Sequence, residues 1–221
     1  MTALAEEIAS SDEKVVVVHG GGSYGHPLAK QHGLSSSAGS PSATGVPQTR
    51  SAMWELDQLV CKTMMEFKLN PYPFSPFDIL ARAKPGAAAQ WLRGLLKAGL
   101  TPLTFGDVSL TPDGFRILSG DSIVYEIARL LKPERCVFAL DVDGVYEGDS
   151  RVIIPELSAS KIRKMSVATA EDATGGMKTK LEVSARIASL GSKVCFVSGY
   201  RRNEFSKAIR GLDFYGTVVK S

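Results

Sequence analysis

The run His19–His26, "HGGGSYGH", carries residue types and spacings that could do chemistry, and it satisfies three unrelated patterns at once. Gly20, Gly22 and Gly25 fit G-x-G-x-x-G, the dinucleotide fingerprint. Gly21, Ser23 and Gly25 fit G-x-S-x-G, a hydrolase nucleophile elbow, and His19–Gly22 reads HGGG, an oxyanion-hole motif. Chain order excludes the hydrolase. A nucleophile at Ser23 needs an acid and then a histidine downstream, but the only histidines are His19, His26 and His32. The dinucleotide pattern needs an Asp or Glu about 20 residues on, at the end of the next strand. The corresponding stretch, "SSSAGSPSATGVPQT", offers neither acid nor strand pattern.

What survives is the physics common to such loops. Glycines at a strand end let main-chain N–H groups approach an anion, and the following helix adds the positive end of its dipole. Three more loops carry compatible chemistry: Gly120-Asp121 before a helical pattern, Asp141-Val142-Asp143-Gly144 after an apolar run, and Thr174-Gly175-Gly176-Met177 with Lys178 and Lys180. In a parallel sheet the carboxyl ends of the strands share one edge, where ligands bind, so the four loops are expected to converge there. Glycines, a lysine and acids at one edge suit phosphoryl transfer, which demands positioning and charge neutralisation. No G-x-x-x-x-G-K-[ST] occurs, so this is not a P-loop enzyme.

The elements that must position these loops are legible as periodic patterns. Val15–Val18 reads as a buried strand, and "HPLAKQHG" as a helix start with Pro27 at its first position and Gly33 at its stop. The Ser/Gly/Pro stretch is expected to be a surface loop. "RSAMWELDQLVCKTMMEFKL" has helical apolar spacing, with Met53, Trp54, Met64, Met65 and Phe67 as a core stripe. A proline-rich connector, "NPYPFSPF", and a short strand-like piece follow. Then come the helix "AAAQWLRGLLKAG", two strands turning at Asp113-Gly114, and the helix "GDSIVYEIARLLKP". The chain continues with the strand and acidic loop "CVFALDVDGVY", the helix "LEVSARIASLG", the strand "KVCFVSG", and a last helix and strand. Alternating strands and helices predict an α/β fold, a three-layer α/β/α sandwich with a mostly parallel central sheet.

Composition narrows the function classes. Charge is nearly balanced, with 26 Lys+Arg and 23 Asp+Glu among 221 residues for a net +3, and no long basic block marks a nucleic-acid binder. No apolar run approaches the roughly 20 residues of a membrane span, and "MTALAEEIAS" lacks the features of a secretory signal. Cys61, Cys136 and Cys195 are scattered, which fits reduced thiols, with Cys136 and Cys195 buried in strands. The expectation is a cytoplasmic protein with a small-molecule partner, no nucleic acid, no membrane and no structural metal. With no linker composition, residues 1–221 read as a single domain.

With those loops in place, the sequence resembles the amino acid kinase superfamily, and within it the isopentenyl phosphate kinases of the archaeal mevalonate route. The resemblance runs from Val15 to Lys220. "HGGGSYGHPLAK" is its most specific piece, with His26 at a position characteristic of these kinases and a few close relatives. "SGD" (Ser119–Asp121), "LDVDGVY" (Leu140–Tyr146), "DATGGMKTKLE" (Asp172–Glu182) and "GTVV" (Gly216–Val219) match in order.

The resemblance implies ATP-dependent phosphorylation of isopentenyl phosphate to isopentenyl diphosphate, with Mg²⁺ carried largely by the nucleotide. Dimethylallyl phosphate is a possible second acceptor, and a homodimer is expected because dimers are common in the superfamily. Gly21 and Gly22 would supply amides to the substrate phosphate and the transferring group. His26 would bind the acceptor phosphate and offset transition-state charge, and Gly120 would also touch the acceptor. Asp141 would serve the nucleotide and orient catalytic groups, and Gly176 and Lys180 would lie against the ATP phosphates. Residues up to about 118 would then form the acceptor part, and those from about 119 the nucleotide part. Asp143 reads as a turn-former, Lys178 as solvent-facing, His19 as structural and His32 as a surface residue.

The family pattern opens with a strand carrying K-x-G-G-S that grips ATP phosphates, and here "ALAEEIASSDEKVVVV" corresponds to the helix and strand that follow it. The expectation is that this strand is encoded upstream of Met1. The competing expectations are a kinase for another phosphate or phosphonate, of the fosfomycin type, and a short, non-catalytic nucleotide-binding module.

Overall fold

The computed structural model describes residues 1–34, 44–80, 85–112, 114–148, 150–162 and 175–221. Most of the Ser/Gly/Pro loop, Asp113 and the stretch Asp172–Thr174 lie outside them. The chain packs as two compact units, one of residues 14–123 and one of residues 1–13 with 124–221.

In the 14–123 unit, β1 (Val17–His19), β2 (Pro71–Pro73) and β3 (Thr101–Phe105) form a parallel sheet in the order β1-β3-β2. β3 is the central strand, and Leu103, Thr104 and Phe105 are fully buried. Burying Leu103 and Phe105 contributes about 1.5–3 kcal/mol each. β2 lies within the proline-rich connector read as irregular from sequence. Pro71 and Pro73 are tolerated because β2 is an edge strand, where a missing N–H breaks no ladder on the open side.

Val15–Val18 are half-exposed rather than buried, and the strand begins only at Val17, because β1 pairs with β3 alone. α2 (Gly22–Gln31) and α3 (Gly45–Glu66) pack against each other, and α5 (Pro85–Lys97) lies on β3. The hairpin of β4 (Asp107–Thr111) and β5 (Gly114–Leu118) follows, with the antiparallel register expected for a turn near Gly114. The short α4 (Phe77–Leu80) completes this unit, and α6 (Gly120–Leu131) begins at its end.

In the other unit, β6 (Arg135–Leu140), β7 (Glu156–Ser158), β8 (Lys193–Ser198) and β9 (Gly216–Lys220) form a sheet in the order β6-β8-β9-β7. β6·β8 and β7·β9 are parallel and β8·β9 is antiparallel. The core gathers Phe138, Leu157, Ile187, Val194, Phe196 and Val219, with the Phe138 and Phe196 rings 5.4 Å apart. Cys136 and Cys195 are buried free thiols, as expected. α7 (Gly175–Ala188) packs on β8 and β9. α1 (Thr2–Ser11) packs on α8 (Glu204–Arg210), where buried Glu7 accepts the backbone N–H of Asn203 at 3.0 Å and of Ser206 at 2.9 Å. Glu7 therefore caps a helix almost two hundred residues away in sequence. The predicted α/β class with mostly parallel strands is what the structure shows.

Candidate active site

The glycine run turns the end of β1 directly into α2. Gly21 is the N-cap residue in right-handed helical conformation (φ −74°, ψ −22°), and Gly22 follows in the left-handed region at φ 45°. Successive right- and left-handed residues point consecutive N–H groups to one side, the main-chain geometry of a nest able to take an anion. The Gly21 carbonyl accepts from Tyr24 N at 3.0 Å and Gly25 N at 2.9 Å, so the first turn closes on the glycines themselves. That places the helix start upstream of Pro27, correcting the sequence expectation. Pro27 lies inside α2, where, having no N–H, it cannot make the usual bond to the Ser23 carbonyl four residues back.

Around this turn the packing is close. A Cβ at Gly21 would stand 3.2 Å from Gly25 Cα and from Met53 Sδ, and 3.3 Å from His26 Cδ2. A Cβ at Gly25 would stand 2.6 Å from Met53 Sδ. Gly120, at the start of α6, approaches the same strand end: its Cβ would stand 3.3 Å from the His19 carbonyl and 3.6 Å from Gly20 Cα. Any side chain at these positions would force its neighbours to give way. The structure thus brings Gly21, Gly22, His26 and Gly120 to one end of β1. His26 itself is exposed, one turn into α2.

The other sequence candidates lie in the second unit. Asp141 directly follows β6 and is exposed. Gly176 and Lys180 are on α7, which begins at Gly175 and so takes in "GGMKTK" as well as the predicted helix. At a spacing of i, i+4 they share a helix face. Among the described residues, a Cβ at Gly176 would meet nothing within 4 Å. Lys180 Nζ lies 6.0 Å from the centre of the Phe138 ring on β6, three residues before Asp141. Lys178 is half-buried, not solvent-facing.

Asp143 does more than form a turn. Its carboxylate takes a two-pronged ion pair from Arg201, at 2.6 and 3.0 Å, and this hydrogen-bonded guanidinium holds its carboxyl below the usual range. His32 is half-buried against Gly45, not a surface residue. In α3, Met53 and Met64 are core as expected, but Trp54 and Met65 are exposed. α3 also starts earlier than its apolar pattern, at Gly45.

One site-facing residue left little trace in the sequence reading. Asp57 is 2% exposed, and its carboxylate lies 3.2 Å from His19 Nε2. Arg50, Met53 and Asp57 fall at i, i+3 and i+7 on one face of α3. Arg50 grips buried Asp107 at 2.9–3.2 Å, Met53 underlies the glycines and Asp57 meets His19. The available signal was a carboxylate at core spacing in an amphipathic helix. Among the described residues no helix is long and apolar enough to cross a membrane.

Comparison with known proteins agrees with this architecture. The amino acid kinase family profile matches residues 1–198. An isopentenyl phosphate kinase from Thermoplasma acidophilum is 28% identical over 98% of this chain and 89% of its own length. One from Haloferax volcanii is 34% identical over 82% of this chain and 76% of its own. A crystal structure of the T. acidophilum enzyme in a product complex superposes with a TM-score of 0.79 at 26% identity, covering 99% of this chain and 89% of that one. The chain belongs to the amino acid kinase family, among relatives that are isopentenyl phosphate kinases.

Proposed function

We propose that the protein phosphorylates isopentenyl phosphate with ATP, yielding isopentenyl diphosphate and ADP. The observation that carries this reading is the Gly21–Gly22 nest with His26 one turn beyond it, in a chain similar over nearly its whole length to isopentenyl phosphate kinases.

The chemistry explains why this site needs amides and an imidazole rather than a strong base. A terminal phosphate loses its second proton near pH 6, so the attacking oxygen is already anionic at neutral pH. That oxygen forms a bond to the γ-phosphorus of ATP as the bond from phosphorus to the β,γ-bridging oxygen breaks, and the electron pair leaves with ADP. The difficulty is bringing two anions together, which calls for fixed positive dipoles and charge. In this reading the Gly21 and Gly22 amides and the start of α2 hold the acceptor phosphate, with Gly120 beside them. His26, exposed on that first turn, donates to the same phosphate and, when protonated, offsets the charge that builds up.

On the nucleotide side, Gly176 in the first turn of α7, with no described residue within 4 Å of a Cβ there, suits a phosphate, and Lys180, one turn on, adds a positive charge. Asp141 would orient the nucleotide and the groups around the transferring phosphoryl. Among the described residues no three His, Cys, Asp or Glu side chains gather as a metal cage, so the Mg²⁺ of this reaction would ride on the ATP phosphates and water. When bound there, it neutralises β- and γ-oxygen charge. A homodimer and a cytoplasmic location belong to the same reading.

An acceptor panel with ATP, followed by ³¹P NMR, tests it. The expected result is a diphosphate from isopentenyl phosphate, with dimethylallyl phosphate as a weaker acceptor. Phosphorylation of a phosphonate but not isopentenyl phosphate would overturn the substrate assignment. ATP binding with no acceptor turned over would favour a non-catalytic module.

A further inference from the structure

The proposed reaction uses no side chain of His19, yet that side chain is held at both ends. Nδ1 lies 3.1 Å from the Gly20 carbonyl oxygen and Nε2 lies 3.2 Å from Asp57 Oδ1. The ring stacks on Phe105, with centroids 5.6 Å apart and planes 23° from parallel. A carbonyl can only accept, so Nδ1 carries a proton. Nε2 faces the Asp57 carboxyl group, so both ring nitrogens have an oxygen partner.

Asp57 is buried, and its place on α3 is fixed by Met53, one turn earlier, packed under Gly21 and Gly25. Cys61, one turn later, has its thiol pushed up first by burial and then by the Asp57 carboxylate. A buried carboxylate requires a partner, and His19 supplies one.

We propose that the His19–Asp57 pair is a positioning device that aims the Gly21 amide into the phosphate nest. The proposal rests on the acceptor-site reading above. The Gly20 carbonyl and the Gly21 N–H belong to one planar trans peptide, so they point in opposite directions. Holding the carbonyl on the His19 side therefore turns the N–H to the other side. No described side chain sets the turn of this peptide: Gly20 is exposed, and among the described residues a Cβ there would meet nothing within 4 Å. The preceding backbone, in contrast, is anchored, because the His19 carbonyl accepts from Gly106 N at 3.1 Å. The imidazole thus extends the order of β3 across the peptide that leads into the nest. Asp57 keeps the ring from turning about its Cβ–Cγ bond.

Three variants test the pair: His19→Leu, His19→Asn and Asp57→Asn. The asparagine amide can donate to the Gly20 carbonyl from nearly the position of Nδ1, whereas leucine cannot. His19→Leu is expected to raise the KM for isopentenyl phosphate about tenfold, the effect of one lost hydrogen bond of about 1.4 kcal/mol, and to lower kcat, with the ATP KM within about twofold of wild type. His19→Asn should recover most of that loss, and Asp57→Asn should fall between. A purely structural role would lower Tm in all three and leave the acceptor KM unmoved. That outcome, or equal shifts in both KM values, or no rescue by asparagine, would overturn the proposal.

A readout independent of turnover separates this inference from the functional reading. Titration of ¹⁵N-labelled protein with inorganic phosphate should shift the Gly21 and Gly22 amides in wild type, and much less in His19→Leu or, if that variant does not fold, in Asp57→Asn. If wild type turns over no isopentenyl phosphate but shows this pattern, the substrate assignment fails and the positioning role stands. If phosphate leaves those amides unmoved in wild type, or moves them equally in the variants, the positioning role is wrong.

Discussion

Gly21 and Gly176 each stand at the start of a helix and each is proposed to face phosphate, but they are supported in opposite ways. Gly21 is buried in close contact, with Met53 and Gly25 behind it and a His19–Asp57 pair fixing the preceding peptide. Gly176 is exposed, and no described residue would touch a side chain placed there. The contrast follows from what each ligand brings. A small acceptor offers little beyond its phosphate, so the protein must preorganise the amides that hold it. A nucleotide brings a base and a sugar whose contacts can position its phosphates, and a helix start with a lysine is sufficient there. Rigidity belongs on the acceptor side.

The largest expected effect is on chemistry. His26→Ala should lower kcat about 10²–10³-fold, the scale seen when one transition-state hydrogen-bond donor is removed, without changing Tm, because His26 is exposed. Wild-type turnover in this variant would remove His26 from the mechanism and weaken the acceptor side of the comparison.

Next is a pH effect confined to one unit. Burial pushes the Cys136 thiol up to about 12 and the Cys195 thiol to about 11, from an ordinary value near 9. Both lie in the unit of α7 and β6–β9. Their folded values are raised, so this contribution is fully present below about pH 9 and is lost as pH rises towards 11 and 12. The slope is at most about 1.4 kcal/mol per pH unit for each thiol. Urea melts followed by hydrogen exchange should show this unit weakening first between pH 9 and 10.5. Equal weakening of both units would count against the assignment.

Smaller effects separate the two glycine sites. Gly25→Ala forces a Cβ to within 2.6 Å of Met53 Sδ and is expected to cost about 1–3 kcal/mol by thermal melting. Gly176→Ala should leave Tm in place and raise the KM for ATP, since the new methyl meets no described residue and stands where phosphate would lie. Matching losses of stability in both variants would erase the distinction drawn here. Smallest is Glu7→Ala, which strips the cap from α8 and should cost about 1–2 kcal/mol in chemical denaturation with turnover unaffected.

Legibility in the sequence followed the physics of each signal. Strands such as Arg135–Leu140 and Lys193–Ser198 were readable as apolar runs. Helix starts at Gly22, Gly45 and Gly175 were not, because glycine and small polar residues have poor helix propensity; at the first two, close contacts of Gly21, Gly25 and Gly45 support the turn. β2 was hidden by its prolines, which an edge strand accepts. Asp57 and Glu7 are carboxylates in helices that read as ordinary polar positions. Their roles depend on partners at His19 and at Asn203 and Ser206, which only the fold brings near.

The most direct test is a crystal structure with isopentenyl phosphate bound. The phosphate is expected within hydrogen-bond distance of the Gly21 and Gly22 amides, with the His26 imidazole turned towards it. A phosphate bound away from this turn, or an imidazole facing elsewhere while the acceptor is seated, would contradict the account.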